Sequence, residues 1–184
     1  MNAPQGLTYI ADAISDTTHN ELITFFMNQS RRWTKAGGRL VQQFGYYYDY
    51  NVRAVNKQIP IEPIPEILVK LNKELINHQL ITKVHNQIIV NLYEPGQGIT
   101  AHCDHVKYFG EEIATISLGS AVIMNFRHTG QVYPQVLKPA SIAVLTGDAR
   151  WIWTHEIPAR KSDIINGKKI FRDNRISITY RTVV

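Results

Sequence analysis

Residues 174–183 read NRISITYRTV, and the stretch alternates without a break: Arg175, Ser177, Thr179 and Arg181 occupy every second position, with Ile176, Ile178 and Tyr180 between them. Successive side chains of a β-strand leave on opposite faces, so the pattern predicts a strand with one apolar face and one face carrying two guanidiniums. The same two-residue period governs two segments upstream. In Gln87–Tyr93, Asn91 and Tyr93 share a face opposite Val90 and Leu92; in Ile99–Asp104, His102 and Asp104 point one way, Ala101 and Cys103 the other. A small barrel whose inner wall holds His, Asp, Asn, Tyr and two Arg encloses a charged ligand rather than a dry core.

Working outward, further strands are expected at Glu112–Leu118, Ala121–Arg127, Val132–Leu137, Ser141–Leu145 and Arg150–His155, with EPGQG, GS, HTG, KPA and TGD as punctuation. The first third reads as helical instead. Thr18 and Glu21 have capping-box spacing ahead of Leu22, Phe25 and Phe26, and a second helix is expected to open at Pro65, where Ile64, Ile67, Leu68, Leu71 and Leu75 form an apolar stripe. Between the helices, FGYYYDYN is β-prone and aromatic and reads as a hairpin or flap. The class expected is α+β, mainly β: a double-stranded β-helix, or jelly roll, braced by N-terminal helices. The 184 residues fit a single domain, 1–184.

Composition excludes several classes. A 44% hydrophobic content is too high for disorder, and a lone Cys103 has no partner for a disulfide, which suits a reducing, cytoplasmic setting. The sequence has neither an apolar run of the ~18 residues that a membrane helix needs nor a secretion signal, so a soluble intracellular domain is expected, and it is expected as a monomer. The net charge of +5 is unevenly spread: Arg31, Arg32, Lys35 and Arg39 cluster early, Lys168, Lys169, Arg172 and Arg175 late. Such clusters attract phosphate backbones; solvated loops are the alternative.

His102 and Asp104 offer two ligands from one side of one strand, and His155, at the end of RWIWTH, is the candidate third. Two histidines and one carboxylate leave adjacent positions open on a metal and favour non-haem Fe(II), whereas a closed structural zinc site takes four protein ligands, usually with cysteines. His-x-Asp alone is a weak signal, and His155 also reads as a structural histidine beside Trp151 and Trp153. His105 has the wrong strand parity for the triad, and His19, His78, His85 and His128 read as surface residues. Arg175 gives the triad its force, because a guanidinium on the same inner wall can grip the far carboxylate of a 2-oxo acid through two parallel hydrogen bonds; an ion pair at the sheet edge is the alternative.

From about residue 40 to the C-terminus these pieces resemble the AlkB-like Fe(II)/2-oxoglutarate-dependent dioxygenases: Asn91-Leu92-Tyr93, His102-Cys103-Asp104, His155 and RISITYR in that order. FGYYYDYN, NLYEPGQGITAHCD, SLGS and TGDARWIWTH are most similar to members that hydroxylate the wobble uridine of transfer RNA. The resemblance implies that His102, Asp104 and His155 bind Fe(II), and that Arg175 and Tyr93 hold the far carboxylate of 2-oxoglutarate. It further implies that Asn91 holds the near carboxylate, that Ser177 lies beside the cosubstrate, and that Arg181 contacts it or the metal-bound Asp104. O2 is the other cosubstrate. Tyr46, Tyr47, Tyr48 and Tyr50 fall where the family carries its substrate-covering flap, with Trp33 near it. Arg31–Arg39 and Lys168–Arg172 would hold phosphates.

The partner implied is nucleic acid, DNA or RNA, single-stranded or with the base flipped out. The reaction expected first is oxidative N-demethylation of an alkylated base, a repair reaction. Hydroxylation of a wobble-uridine substituent is the alternative, followed by a substrate other than nucleic acid or a silent nucleic-acid-binding module. Two positions depart from the alkylation-repair enzymes: Val106 stands where they carry an acidic residue that reads the base, and Ser177 where they carry Asn. The transfer-RNA homologues also carry RNA-binding and methyltransferase domains, for which 184 residues leave no room.

Overall fold

The computed structural model describes residues 2–28, 33–59 and 61–184. In chain order the elements are β1 (Leu7–Ile10), α1 (Asp16–Met27), β2 (Thr34–Ala36), β3 (Arg39–Phe44), β4 (Tyr47–Asp49), β5 (Ala54–Asn56) and α2 (Glu66–Asn77). Then come β6 (Gln87–Tyr93), β7 (Ile99–His102), β8 (Phe109–Gly119), β9 (Val122–His128), β10 (Gln131–Leu137), β11 (Ser141–Leu145), α3 (Gly147–Trp151), β12 (Thr154–Ile157), β13 (Ser162–Ile165), β14 (Lys168–Phe171) and β15 (Arg175–Val183). A seven-stranded sheet runs β1-β11-β8-β15-β6-β3-β2, and a four-stranded sheet runs β10-β9-β12-β7. Two-stranded ribbons, β4-β5 and β13-β14, stand apart from both.

The large sheet is buried on both faces, and its alternation divides them. Ile176, Ile178 and Tyr180 of β15, Ile88, Val90 and Leu92 of β6, and Ala114, Ile116 and Leu118 of β8 pack with Leu22 and Phe26 of α1 and Leu68, Leu71 and Leu75 of α2. The opposite face carries Arg175, Ser177, Thr179 and Arg181 with Asn91 and Tyr93, and these line a cavity that Met124, His155 and Ile157 of the small sheet close. The jelly roll braced by helices is therefore the fold observed.

Local signals explain where expectation and structure part. Helix α1 starts a turn early, because Ser15, not Thr18, is its cap: the Ser15 hydroxyl accepts from the Thr18 amide at 3.1 Å. Helix α2 follows Pro65 as expected. Strands β1, β2 and β3 arise in the part that read as helical, and β3 docks on β6 with Val41 opposite Asn91. The segment expected as a strand at Arg150–His155 is instead helix α3 followed by β12. Six residues with three consecutive apolar ones do not separate the two periods, and a helical turn opens before them at Thr146-Gly147-Asp148. His85 is also not a surface residue: it is 1% exposed, its Nδ1 lies 3.0 Å from the Thr182 hydroxyl and its Nε2 3.3 Å from Glu112.

Ile178 lies at the centre of the helix-side core with no exposure. Ile178→Ala should lower unfolding free energy by about 3 kcal/mol. On the cavity face of the same strand, Thr179→Ala should cost less than about 1 kcal/mol. Urea denaturation of the metal-free protein checks both, and equal losses would contradict the division into two faces.

Candidate metal and cosubstrate site

Pairing of β12 with β7 sets His155 directly opposite His102, and Asp104 follows two residues past His102. The ring centroids of the two histidines are 4.4 Å apart, and one ligand atom from each of His102, Asp104 and His155 lies within 4.8 Å of the others. His102 Nδ1 sits 2.8 Å from the Thr100 carbonyl, which only accepts, so this nitrogen carries the proton and Nε2 keeps its lone pair for a metal. The donor set suits a divalent ion with open positions.

Electrostatics prepare the group. Burial would raise the Asp104 carboxyl, but the Arg181 guanidinium, with Nη1 donating to Oδ1 at 2.6 Å, and the two histidines pull it down to about 2. Burial, and after it the charge of His102, lowers His155 to about 4. At neutral pH the site thus presents one carboxylate and a neutral His155 imidazole, the protonation states that metal binding requires.

The second half of the cavity suits an anion. Arg175 is 1% exposed; its Nη2 donates to Ser117 Oγ at 2.9 Å, while Nε and Nη1 are buried without a partner. Burial lowers its guanidinium to about 10, which leaves it charged at neutral pH. Its Cζ lies 5.5 Å from the centroid of the Tyr93 ring. Asn91 is held at both ends, with Oδ1 accepting from Arg39 Nε at 2.7 Å and Nδ2 donating to Ser177 Oγ at 3.2 Å. Arg181 Nη2 is a further orphaned donor. Buried donors left unpaired on one wall of a cavity of about 270 Å³ fit a dicarboxylate that supplies the missing acceptors.

Comparison with known proteins agrees with this geometry. The profile described as the 2OG-Fe(II) oxygenase superfamily matches residues 6–181. The chain belongs to that superfamily. The mouse protein named tRNA (carboxymethyluridine(34)-5-O)-methyltransferase ALKBH8 is 34% identical over 95% of this chain, which spans only 27% of the mouse protein's length. A protein of Acanthamoeba polyphaga mimivirus, named uncharacterized protein L905, is 37% identical over 97% of this chain and 85% of its own length. The solved structure of OsALKBH1 superposes with a TM-score of 0.73 at 16% identity, over 99% of this chain and 98% of that one, a likeness of fold. The oxygenase domain therefore uses Fe(II) and 2-oxoglutarate with O2.

The oxygenase cavity gathers some of the expected substrate residues and leaves others out. Tyr50 and Tyr48 line it, with Tyr48 only 9% exposed and its ring 5.7 Å from that of Phe109. Tyr46 packs beside the core between the two sheets, and Trp33 packs on the helix-side core 6.5 Å from the Phe26 ring; neither is among the cavity-lining residues. Cys103, expected outside, and His105, expected out of reach, both line it. Strand β7 ends at His102, so parity no longer governs the residues that follow. The basic clusters also divide. Arg31 and Arg32 lie outside the described residues; Arg39 turns into the cavity, Arg172 is buried on Asp163, and Lys35, Lys168 and Lys169 remain exposed. Among the described residues no helix is long and apolar enough to cross a membrane.

Arg150 escaped sequence reading because a strand was expected there. It is 2% exposed and donates to three backbone carbonyls: Nη1 to Asp104 at 2.9 Å, Nη2 to Phe109 at 2.9 Å and Nε to Gly110 at 3.0 Å. One guanidinium thus ties the segment after Asp104 to the helix that leads into His155. Arg150→Met should leave those carbonyls unpaired, cost about 3 kcal/mol of stability and weaken Fe(II) binding, as denaturation and metal titration would measure. An unchanged metal affinity would contradict the tie.

The lowered His155 value carries a pH consequence. Its folded value lies below the ~6.5 of a free imidazole, so the unfolded chain takes up the proton first, and stability present above pH ~6.5 is lost as pH falls towards 4. The metal-free protein should lose up to about 3 kcal/mol across that window, with part of the slope removed in His155→Gln. Urea midpoints at stepped pH measure it, and a flat profile would refute the buried neutral imidazole.

Proposed function

We propose that residues 1–184 form one catalytic domain that oxidises a modified nucleobase of RNA, with a transfer-RNA wobble uridine as the favoured base. The observation that carries the oxygenase chemistry is the His102–Asp104–His155 cluster facing, within one cavity, an Arg175 whose Nε and Nη1 are buried and unpaired. Support for the substrate class comes from the mouse relative, whose name specifies carboxymethyluridine at position 34 of transfer RNA. Val106, at the place where alkylation-repair enzymes carry a base-reading acid, favours the same direction.

In this reading His102, Asp104 and His155 hold Fe(II). The metal, when bound, supplies the redox chemistry that couples decarboxylation of 2-oxoglutarate to succinate with oxidation of a substrate C–H bond. Arg181 keeps Asp104 ionised and fixes one carboxylate oxygen, so that the other is free for the metal. Arg175 takes the far carboxylate of 2-oxoglutarate in its two unpaired donors, and the Tyr93 phenol, which burial keeps protonated, donates beside it. Asn91 is oriented by Arg39, which can only donate to Oδ1, so its amide hydrogens face Ser177 and the near carboxylate. Tyr48 and Tyr50, with ring centroids 5.2 Å apart, line the cavity on the side where the substrate base would enter. The domain acts as a monomer in a reducing, cytoplasmic compartment and takes its base single-stranded or flipped from its stack, since the cavity of about 270 Å³ admits no duplex.

Two measurements test the reading. Succinate should form only with Fe(II) and 2-oxoglutarate and should vanish in Asp104→Ala, while Arg175→Met should raise the KM for 2-oxoglutarate at least ~10-fold, the worth of a charge-assisted pair. Mass analysis of transfer RNA, set against formaldehyde release from methylated oligonucleotides, then identifies the base. A retained hydroxyl on a uridine supports the assignment; formaldehyde from an N-methyl base alone moves it to demethylation, and turnover with neither removes the nucleic-acid reading.

A further inference from the structure

The connection between β12 and β15 folds into a ribbon of its own, β13 and β14, which pairs with neither large sheet. It turns at Asn166 and Gly167, with φ of 52° and 76°, the doubly left-handed conformation that suits a tight hairpin. The root is rigid. Asp163 is 2% exposed and accepts from Arg172 Nε at 2.6 Å, Arg172 Nη2 at 3.0 Å and Arg160 Nε at 2.7 Å. Arg172 Nη1 also donates to the Pro158 carbonyl at 2.8 Å. Pro158 follows Ile157, and Arg175 comes soon after Arg172; both Ile157 and Arg175 line the cavity, so the ribbon is fastened beside it.

What the ribbon presents outward is unusual. The register sets Ser162 opposite Phe171 and Ile164 opposite Lys169, so these four share one face. Phe171 is 72% exposed and Ile164 60%, and Lys169 Nζ stands 5.2 Å from the centre of the Phe171 ring. Lys161, Lys168 and Lys169 are exposed too, and among the described residues no carboxylate lies within ion-pair reach of them; the ribbon's one acid, Asp163, is taken by Arg160 and Arg172. A bare phenylalanine on a fixed scaffold marks an interaction surface. Cores of protein interfaces are depleted in lysine, whereas an aromatic platform flanked by free cations is how single-stranded nucleic acid is held.

We propose that this outer face holds the nucleic-acid strand next to the nucleotide in the cavity, with Phe171 stacking on a base and Lys169 neutralising a phosphate. The inference rests on the nucleic-acid reading above and extends it to a surface outside the cavity. The ribbon acts as a second foothold, which gives affinity without reading the base that is oxidised.

The test uses the full chain and a short fluorescein-labelled single-stranded oligoribonucleotide, followed by anisotropy over a salt series. Phe171→Ala should weaken binding about tenfold with the salt slope unchanged, and Phe171→Trp should restore it. Lys169→Ala should make the log–log salt slope shallower by about 0.7, one charge on a single strand. Succinate formation without a prime substrate should stay at the wild-type rate in all three, which shows that metal and cosubstrate are still bound. Wild-type affinity and slope in the variants would overturn the ribbon's role while leaving the nucleic-acid reading intact. No binding by the wild type would remove that reading and the inference with it. Sedimentation showing a dimer that Phe171→Ala dissolves, with RNA binding unchanged, would assign the face to a second copy of the chain and overturn the proposal.

Discussion

Everything in this molecule follows from a sheet buried on both faces, apolar throughout on one and mixed on the other. A strand offers its side chains to two sides in strict turn, so β15, β6 and β8 can send isoleucine, valine and leucine to the helices while sending arginine, asparagine, serine and threonine to the small sheet. The helix-side core, which α1 and α2 close with leucine and phenylalanine, is one source of stability, and a second core between the sheets, with Val41, Ile89, Ile113, Phe126 and Leu145, is another. Beside that second core the same face also holds buried charge. A one-residue slip in the pairing of β15 would exchange the two sets and destroy both at once, which makes the register itself a functional feature.

Buried charge is tolerable only when it is balanced. The cavity brings together Arg39, Arg175 and Arg181, with the exposed Arg53 at its edge, against a single carboxylate, Asp104. Arg181 is matched by its ion pair with Asp104, and Arg39 donates to Asn91 and to the Ala36 carbonyl. Arg175 has one hydroxyl partner and two idle donors. A divalent cation would add two positive charges and a dicarboxylate two negative ones, so the pair together leaves the wall's charge unchanged while filling its empty valences. The balance explains why metal and cosubstrate belong to one site.

Much of this was legible in the residues, and what was not has physical causes. Alternation in RISITYR, the His-x-Asp pair and the order of the motifs marked the inner wall, because a period of two survives any uncertainty in strand ends. His155 could be named as the candidate third ligand, and it does join the cluster, although its strand begins at Thr154 rather than Arg150. Elements short enough to fit both periods were misread: β1, β2 and β3 within the helical-looking third, and α3 within an expected strand. Charge was the least legible feature. Arg39 and Arg172 sit in basic runs that look alike, yet one enters the cavity and the other is buried on Asp163, a contact made only when β13 and β14 pair. Trp33 and Tyr46 show the same limit for aromatics, whose rings suit a core as well as they suit a base.

The central claim is that one divalent ion and one dicarboxylate share the inner wall. Calorimetric titration of the metal-free protein, anaerobically, with Fe(II) and then 2-oxoglutarate addresses it most directly. The account predicts one ion per chain, 2-oxoglutarate binding that tightens once the ion is in place, and loss of both in His155→Ala. Binding of 2-oxoglutarate with the same affinity whether or not metal is present, or an ion that stays bound after His155 is removed, would contradict it.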